Sequence, residues 1–564
     1  MTGTQILKIA TLATTLTVAG CSGFQGADPQ GSPQAQADIE AGRLREYLFD
    51  FAADSMMGRA AGTESHQRAT RYLARRAAEF GLEPGGENGT YFQDVPLTVR
   101  AWQSTLEVEG EAIQIGQDFA PYWAEGLAGS TSGRFTDAPV VFGGDLGAVD
   151  GIDPLEVAGK VVVFGAVRAP DGRAFGLVPG TLERYAEAEA VLLAANDYAP
   201  GEVLSFLVEP SVTLDDDATE ADASSGQSPL MVFVSEALVE RLFGQGVDVL
   251  ATGAEGRTVR GEISQLARPT EAPTRNVIAV IRGSDPALRD EYVVISAHSD
   301  HLAPQLPAVD HDSLRAYLTT VRPEGAESPE RPATTEEQQL IEQRLANSPD
   351  LQPRLDSIRN GADDDGSGSV ALLEIGRVLA AASTKPRRSV LLVWHTGEEL
   401  GLFGSQHFTD HPTVPLESLV ADINVDMIGR GGVDDVDLGG PTYLQLIGTR
   451  RLSTELGDLV ETVNIDEAHG FSFDYQYDAD GHPSNIYCRS DHYMYARYGI
   501  PIVFMSTGAH PDYHMRTDEP QYIDYNKLAR VARFAKQLGV RVANRNDRLV
   551  VDKPVPSLDT PCQQ

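Results

Sequence analysis

Histidine and carboxylate residues form five short clusters in the second half of the chain. The clusters are His298-Ser299-Asp300-His301, Asp363-Asp364-Asp365, Glu398-Glu399, Asn424-Val425-Asp426 and Asp512-Tyr513-His514. Each cluster follows or interrupts an apolar run, where an unpaired charge is unfavourable. Imidazole nitrogen and carboxylate oxygen, without thiolate, are the ligands of a catalytic zinc site that keeps positions open for water and substrate. The clusters therefore predict a metal centre, because converging carboxylates without a cation would repel one another.

The elements that must position these clusters are the strands and helices of an α/β fold. Helical spacing predicts helices at 369–382 and 525–538. Apolar runs rich in β-branched residues predict strands at 277–281, 292–295, 390–394, 421–425 and 501–505. This alternation indicates a sheet that is covered by helices on both faces. In open α/β sheets, ligands bind beyond the carboxyl ends of the strands, so the clusters are expected to meet in one crevice.

The rest of the sequence divides into segments that differ in composition and in hydrophobic periodicity. Apolar residues at helical spacing predict a helical part at 39–129 that packs on the α/β domain at 275–545. Short β-like runs separated by Gly, Pro and Asp predict a β-rich domain at 130–268. A polar stretch at about 304–355, with a helix predicted at 335–345, is interpreted as an insertion or lid.

The first residues have the features of an export signal. Residues 1–20 combine one lysine with a modest apolar stretch, and small residues precede Cys21, as in a bacterial lipoprotein cleavage box. The pattern predicts a lipoprotein-type signal peptide, membrane attachment through Cys21, and a periplasmic or outer-membrane-anchored protein. An ordinary signal peptide or a fortuitous cysteine is the alternative. Residues 21–38 are interpreted as a flexible tether and 546–564 as a C-terminal tail.

The composition excludes several classes of protein. The chain has 564 residues and a formal net charge of −37, which argues against a nucleic-acid-binding protein or a basic membrane-surface patch. The sequence has no window of 18 uninterrupted apolar residues, and so it offers no membrane-spanning helix. Three cysteines are too few for a disulfide scaffold or a Cys-rich zinc site. Cys488 and Cys562 could pair in an oxidising compartment, but their spacing alone leaves this open.

Five segments, in order, resemble the motifs of the two-zinc aminopeptidase family of metallopeptidases. They are SAHSDH at 296–301, NGADDDGSG at 360–368, GEELGLFGS at 397–405, NVDMIG at 424–429 and YH at 513–514. The superfamily includes bacterial leucine aminopeptidase, glutamate carboxypeptidase and the transferrin receptor. The resemblance covers about 275–544 and implies a zinc aminopeptidase/phosphorylase-like fold, with a mixed, mainly parallel sheet flanked by helices. It also implies that 130–268 is an inserted protease-associated domain.

Carried over motif by motif, the resemblance implies a site that holds two zinc ions per chain. His298 and Asp426 would bind one zinc ion, and Glu399 and His514 would bind the other. Asp364 would bridge the two ions. Two cations about 3.5–4 Å apart can share an attacking oxygen and polarise a carbonyl group.

The resemblance also assigns residues that do not bind metal. Glu398 would be the general base, and Asp300 would accept the ring N–H of His298 and fix its tautomer. In the family the bridging aspartate precedes a cis peptide bond, which here would be Asp364–Asp365. The other histidines are interpreted as structural, because they outnumber the ligand positions; they are His301, His311, His395, His407, His411, His469, His482 and His510.

By resemblance, the protein is expected to be a metallo-aminopeptidase with peptide substrates. The carboxypeptidases of this superfamily bind the terminal carboxylate through an arginine patch, but residues 502–510, which follow Gly499-Ile500-Pro501, contain no arginine. Hydrolysis of the N-terminal bond of short peptides is therefore favoured. Three alternatives remain on the same fold: a carboxypeptidase, a glutaminyl cyclase and a non-catalytic receptor-like scaffold.

Overall fold

The structure of the protein is a computed structural model in which most of the chain is described. The described residues are 38–121, 130–148, 150–168, 174–175, 183–199, 204, 207–215, 229–347, 354–436, 438–558 and 560–564. The residues from Ile39 to Gln564 form one compact unit. The predicted signal peptide, Cys21 and the predicted tether, apart from Asp38, lie outside the described residues.

The helices confirm the helical periodicity of the sequence. They are α1 (Ala41–Phe51), α2 (Glu64–Glu79), α3 (Glu236–Phe243), α4 (His311–Val321), α5 (Thr335–Ala346), α6 (Gly368–Ala381), α7 (Phe403–Asp410), α8 (Thr454–Asp466), α9 (His492–Ala496) and α10 (Tyr525–Ala543). The side chains of Thr63, Thr334 and Asp524 accept first-turn N–H groups at the starts of α2, α5 and α10. Among the described helices, none has the length and apolar composition needed to cross a membrane.

The strands fall into two large sheets and two short ribbons. In the first half of the chain they are β1 (Glu83–Pro84), β2 (Phe92–Val95), β3 (Leu97–Ser104), β4 (Glu107–Val108), β5 (Glu111–Ala112), β6 (Phe119–Pro121), β7 (Ser132–Asp145), β8 (Val161–Gly165), β9 (Val167–Arg168), β10 (Ala174–Phe175), β11 (Ala190–Ala194), β12 (Ser211–Leu214), β13 (Leu230–Val234) and β14 (Glu255–Pro269). In the second half they are β15 (Thr274–Ile281), β16 (Tyr292–His298), β17 (Val309–Asp310), β18 (Leu355–Asp356), β19 (Ser389–His395), β20 (Leu419–Val425), β21 (Tyr443–Ile447), β22 (Ser472–Asp474) and β23 (Ile502–Ser506).

The main sheet has the order β1-β15-β19-β16-β20-β23-β21-β22, with β2 also paired to β15. Its four central strands, β19, β16, β20 and β23, are parallel, so their carboxyl ends lie at one edge. The flanking strands β15 and β21 run antiparallel to this group. The fold is therefore mixed α/β, as expected, and its parallel strands are concentrated at the centre.

Helices cover both faces of the main sheet, because alternate strand residues point to opposite faces. On one face, residues such as Ile295 belong to a core shared with α1, α2, α6 and α10, which includes Phe534. On the other face, residues such as Val294 belong to a core shared with α7 and α9, which includes Phe408. The continuous apolar strands of the sequence are thus explained by burial on both sides.

The second sheet has the order β12-β3-β14-β7-β8-β11-β13-β6 and lies, in sequence, between β2 and β15 of the main sheet. Its first strands, β3 to β6, fall within 39–129, which we predicted to be helical; only 41–51 and 64–79 form the helices of that part. The boundary predicted at residue 130 is therefore wrong, and the β-rich part begins at Leu97. Apolar residues alternate at Val95, Leu97 and Val99, a period of two that indicates a strand.

The polar stretch at 304–355 contains α5, where a helix was predicted, and also α4, which was not predicted. A short ribbon of β17 and β18 closes the segment. The buried His311 fastens it to the domain: Nε2 lies 3.1 Å from the Tyr522 hydroxyl, and Nδ1 lies 3.3 Å from oxygens of both Asp356 and Glu519. The insertion is therefore held close to the chain that follows His514.

Candidate metal centre and active-site cleft

The strand ends bring the predicted clusters together. His298 is the last residue of β16, and Asp426 directly follows β20. Glu398 and Glu399 follow β19 after a short turn. These three strands are parallel neighbours, so their carboxyl ends bring the side chains to one edge of the sheet.

Asp364 lies at the centre of this group. Its Oδ1 atom is 3.1 Å from His298 Nε2, and its Oδ2 atom is 3.0 Å from His514 Nε2. The residue stands in a buried turn before α6, and the peptide bond Asp364–Asp365 is cis, as the resemblance implies. One carboxylate therefore faces two imidazoles through its two oxygens, which is the arrangement expected of a bridging ligand.

The side of the centre at His298 includes Asp426. Asp426 Oδ1 lies 3.5 Å from His298 Nε2 and is buried without a hydrogen-bond donor. Its Oδ2 atom accepts a hydrogen bond of 2.8 Å from the Ser490 hydroxyl. The hydroxyl thus orients the carboxylate and leaves one oxygen directed to the centre.

The side at His514 includes Glu399 and a residue that the sequence analysis missed. Glu399 Oε2 lies 3.1 Å from His514 Nε2, while Oε1 accepts a hydrogen bond of 2.6 Å from His301 Nδ1. We interpreted His301 as a structural histidine, and the structure places its buried ring within this group. Its position three residues after His298, beyond the end of the same strand, was the available signal.

The charges in the centre stabilise one another. Burial alone would raise the pKa of Asp364, but hydrogen bonds from His298 and His514 hold that pKa well below its usual range. Burial also acts to raise the pKa of Glu399, yet His514 and His301 bring it down to about 2. Burial lowers the pKa of His514, but Glu399 and Asp364 raise it to about 10. Each carboxylate thus favours the protonated form of the imidazole beside it, and each imidazole favours the ionised form of the carboxylate.

Glu398 has a different environment from Glu399. Its closest charged neighbour is His298, whose Nε2 atom lies 3.9 Å from Glu398 Oε2. Burial raises the pKa of Glu398 well above the usual value, and repulsion by Asp426 and Glu399 adds to this effect. Glu398 also lines the cleft. A carboxylate with raised proton affinity beside the centre has the properties of a general base.

Asp300 does not make the hydrogen bond that the resemblance implies. His298 Nδ1 donates instead to the backbone oxygen of Asp300, at 3.1 Å, and the Asp300 carboxylate lies 3.9 Å from the same nitrogen. The reason is the tight turn after β16, which folds the carbonyl group back onto the ring two residues before it. The carboxylate accepts the backbone N–H of Glu398, at 3.3 Å, and so positions the candidate base.

Backbone hydrogen bonds hold the Asp364 turn from two sides. The carboxylate of Asp518 accepts the N–H groups of Asp363, at 3.0 Å, and Asp364, at 3.2 Å. On the other side, Asp365 accepts N–H groups from His298 and Gly368, at 3.2 and 2.8 Å. Sequence reasoning did not find the role of Asp518, because its partners lie about 150 positions earlier in the chain.

The donor set fits a divalent cation. The first side offers His298 and Asp426, the second offers His514 and Glu399, and Asp364 faces both. Asp426 Oδ1 is buried and accepts no hydrogen bond from the described residues, and a positive ion would supply the interaction that this oxygen lacks. Imidazole and carboxylate ligands suit zinc.

A cleft of about 900 Å³ opens at this edge of the sheet. Asp364, Glu398, Asp426 and His514 line its floor, and residues from the insertion, from 433–436 and from the chain around Arg489 line its walls. The Tyr513 ring packs on the His514 ring with centroids 4.0 Å apart. Cys488, in one wall, forms a disulfide with Cys562, which answers the pairing question that the sequence left open.

The insertion reaches the cleft through a close contact with the segment that carries His514. Ala326 donates its N–H group to the Tyr513 carbonyl at 3.1 Å. A Cβ atom at Gly325, where φ is +55°, would lie 2.5 Å from the same oxygen, so glycine is required there. Glu327, two residues later, pairs with Arg489 across 2.5 Å. The insertion therefore forms part of the cleft wall.

Comparisons with known proteins agree on the class of protein. A family model described as Peptidase family M28 matches residues 276–538. Leupeptin-inactivating enzyme 1 of Streptomyces exfoliatus is 30% identical over 162 residues, 28% of this chain and 31% of that protein. Leucine aminopeptidase 1 of Ajellomyces dermatitidis is 28% identical over 194 residues, 32% of this chain and 47% of that protein. The chain thus spans less than half of the length of either relative.

A solved structure also resembles the chain over most of its length. The aminopeptidase from Aneurinibacillus sp. strain AM-1 aligns with 93% of this chain and 98% of its own, at 15% identity and a TM-score of 0.46.

Proposed function

Residues 276–538 of this chain belong to peptidase family M28, and on that premise we propose that the protein is an exported, zinc-dependent aminopeptidase acting on short peptides. The observation that carries the proposal is the position of Asp364, whose two oxygens face His298 and His514 at 3.1 and 3.0 Å. His298 and Asp426 would hold one zinc ion, and Glu399 and His514 the other. Asp364 would hold both.

When bound, the zinc pair supplies Lewis-acid chemistry that lowers the pKa of water and polarises the scissile carbonyl. Glu398 accepts the proton of the attacking water on its carboxylate. It then delivers that proton to the nitrogen of the leaving amine as the C–N bond breaks. Glu398 lines the cleft beside the proposed metal ligands, and both proton transfers require a carboxylate in that position.

Tyr513 is suited to bind the developing oxyanion. It lines the cleft beside His514, and burial raises the pKa of its hydroxyl well above the usual value. The hydroxyl therefore stays protonated and can donate a hydrogen bond to the carbonyl oxygen as negative charge develops.

Acidic side chains support recognition of a free N-terminus. Glu324 and Asp434 line the cleft in addition to the residues of the metal centre. Carboxylates near the site of cleavage attract the α-ammonium group of a peptide. An enzyme that requires a free α-ammonium group in its substrate is an exopeptidase.

The proposed location rests on two features. Residues 1–21 resemble a lipoprotein signal that ends at Cys21. The Cys488–Cys562 disulfide belongs to an oxidising compartment such as the bacterial periplasm. Resemblance alone supports two further parts of the proposal: attachment to the outer membrane through Cys21, and the assignment of the β-rich part as an inserted protease-associated domain.

The proposal is tested by digesting a peptide and its N-acetylated twin with the zinc-loaded protein. We expect cleavage of the free-amine peptide alone, because acetylation removes the ammonium group. Equal cleavage of both peptides would contradict an aminopeptidase, and cleavage of the C-terminal residue would identify a carboxypeptidase.

Zinc analysis of the purified protein separates the remaining alternatives. Two zinc ions per chain support the peptidase. One ion supports a glutaminyl cyclase, and none supports a receptor-like scaffold.

A further inference from the structure

Arg489 is the single arginine or lysine among the described residues that line the cleft. The acidic residues of the same lining, outside the metal centre, are Glu324, Glu327, Asp434 and Asp435. Asp435 is already paired with the buried Arg430, at 2.6 Å. The cleft thus combines an acidic lining with one arginine, whose partner Glu327 belongs to the same lining.

Arg489 stands close to the metal centre. The next residue, Ser490, donates its hydroxyl to Asp426. Arg489 Nη2 lies 3.4 Å from the Tyr513 hydroxyl, and the Tyr513 ring packs on His514. Arg489 is therefore linked to two of the proposed metal ligands, to Asp426 through Ser490 and to His514 through Tyr513.

The ion pair with Glu327 leaves Arg489 able to bind another anion. A guanidinium has five N–H donors; Nη2 contacts Glu327 and the Tyr513 hydroxyl, and Nη1 lies 3.5 Å from the Ser484 carbonyl oxygen, so these three contacts do not use all five donors. The two side chains are 38% and 39% exposed, and exposed ion pairs are weak and easily exchanged. Because Glu327 belongs to the insertion, the insertion holds the guanidinium in the cleft wall when no substrate is present.

We propose that Arg489 binds the C-terminal carboxylate of a dipeptide substrate whose ammonium group lies on the acidic side of the cleft. This inference rests on the proposed aminopeptidase activity and names its substrate class. A dipeptide carries one ammonium and one carboxylate group separated by a single scissile bond, which matches the charges of the cleft. The guanidinium geometry fits a carboxylate through paired hydrogen bonds.

The test compares Ala-Ala with its C-terminal amide on the zinc-loaded wild-type protein. A charge-assisted hydrogen bond predicts a kcat/KM roughly ten- to a hundredfold higher for the free acid. In R489Q, the kcat/KM for the free acid falls by that factor relative to the kcat/KM for the amide. R489K keeps the charge but not the paired geometry, and so it keeps part of the preference.

One further variant serves as a control, and a second tests the competition between Glu327 and the substrate carboxylate. R331Q removes an exposed arginine of the insertion that is paired with Glu337 and does not line the cleft, and it leaves the preference unchanged. E327Q removes the competing anion, and so it raises the preference for the free acid.

Three results would overturn the inference. Equal kcat/KM for acid and amide in the wild type, with alanine p-nitroanilide still cleaved, would remove the carboxylate site but leave the aminopeptidase. An equal loss of kcat/KM for the free acid and the amide in R489Q would show that Arg489 acts through Tyr513 or the cleft wall, not through the substrate carboxylate. No cleavage of any of the three substrates would remove the proposed function and this inference together.

Discussion

The metal end of the cleft and its insertion end are built in different ways. At the metal end, His298, Asp364 and Asp426 are at least nine-tenths buried and are held by strand ends and backbone hydrogen bonds. At the insertion end, Glu327 and Arg489 are more than a third exposed and hold each other by one contact. The proposed metal ligands are therefore fixed and desolvated, whereas the groups proposed to bind the substrate can exchange partners.

The two ends also differ in the strength of their electrostatics. Charges within the buried centre interact strongly, because little solvent screens them. An exposed ion pair contributes about 0–1 kcal/mol. Variants at the metal end should consequently abolish function, and variants at the insertion end should adjust selectivity.

The largest effect is expected for Asp364→Ala, because Asp364 faces both halves of the centre. The variant should lose both zinc ions and nearly all hydrolysis, measured by metal analysis after dialysis and by peptide cleavage. Asp434→Ala, which removes a cleft carboxylate outside the centre, should keep its zinc. Wild-type zinc content in Asp364→Ala would show that Asp364 is not the bridging ligand.

Glu398→Ala should separate catalysis from metal binding at the same end of the cleft. General acid–base catalysis contributes typically 10²–10⁴ in rate, so we expect a loss of roughly a thousandfold or more in kcat. Zinc content should remain that of the wild type, since Glu398 is not assigned to a metal ion. A variant that retains activity within about tenfold would exclude Glu398 as the base.

Asp518→Ala should show whether the backbone around Asp364 is as tightly constrained as the hydrogen bonds indicate. The variant leaves the buried N–H groups of Asp363 and Asp364 without an acceptor. Each should lower the free energy of unfolding by about 1–3 kcal/mol. Loss of such support typically weakens metal affinity by about 10–100-fold.

Asp524→Ala is the matched control for this variant. Asp524 also accepts two backbone N–H groups, those of Asn526 and Lys527, but at the exposed start of α10. It should lower stability by about 1 kcal/mol and leave zinc affinity unchanged. Equal zinc affinities in the two variants would argue against a positioning role for Asp518.

The smallest effect is expected for Glu327→Gln at the insertion end. Its ion pair with Arg489 is partly exposed, so the free energy of unfolding should fall by about 1 kcal/mol or less. Thermal denaturation measures this change. A decrease of several kcal/mol would mean that the pair is a structural anchor, and the contrast between the two ends would then be smaller than the burial indicates.

Much of the main sheet could be predicted from local sequence. The strands at 277–281, 292–295 and 390–394 are continuous apolar runs. In an α/β fold, such runs are typical of strands that are buried on both faces. The strands at 97–121 were missed. They are short, only partly buried and mixed with polar residues, so their period of two is weak beside the stronger helical patterns of 41–79.

The site residues were found for a related reason. Five of them lie at or just after the ends of β16, β19 and β20: His298, Asp300, Glu398, Glu399 and Asp426. The parallel pairing of these three strands must bring those ends together. The contacts of Asp300 and His301 were not predictable, because they depend on how a tight turn directs a carbonyl group and a ring. Asp518 and Arg489 are placed by pairings between distant segments, for which local periodicity carries no information.

The sequence by itself determined the chemistry: which side chains can bind a cation, which strand ends carry them, and a net charge unsuited to nucleic acid. Tertiary structure decided which oxygen of Asp364 faces which imidazole, that a backbone carbonyl rather than the Asp300 carboxylate meets His298, and that the insertion forms a cleft wall in contact with Arg489. The physical reason is the distance along the chain over which each influence acts. Residue type and hydrophobic period act over a few neighbouring positions, whereas a hydrogen bond forms between whichever groups packing brings within about 3 Å.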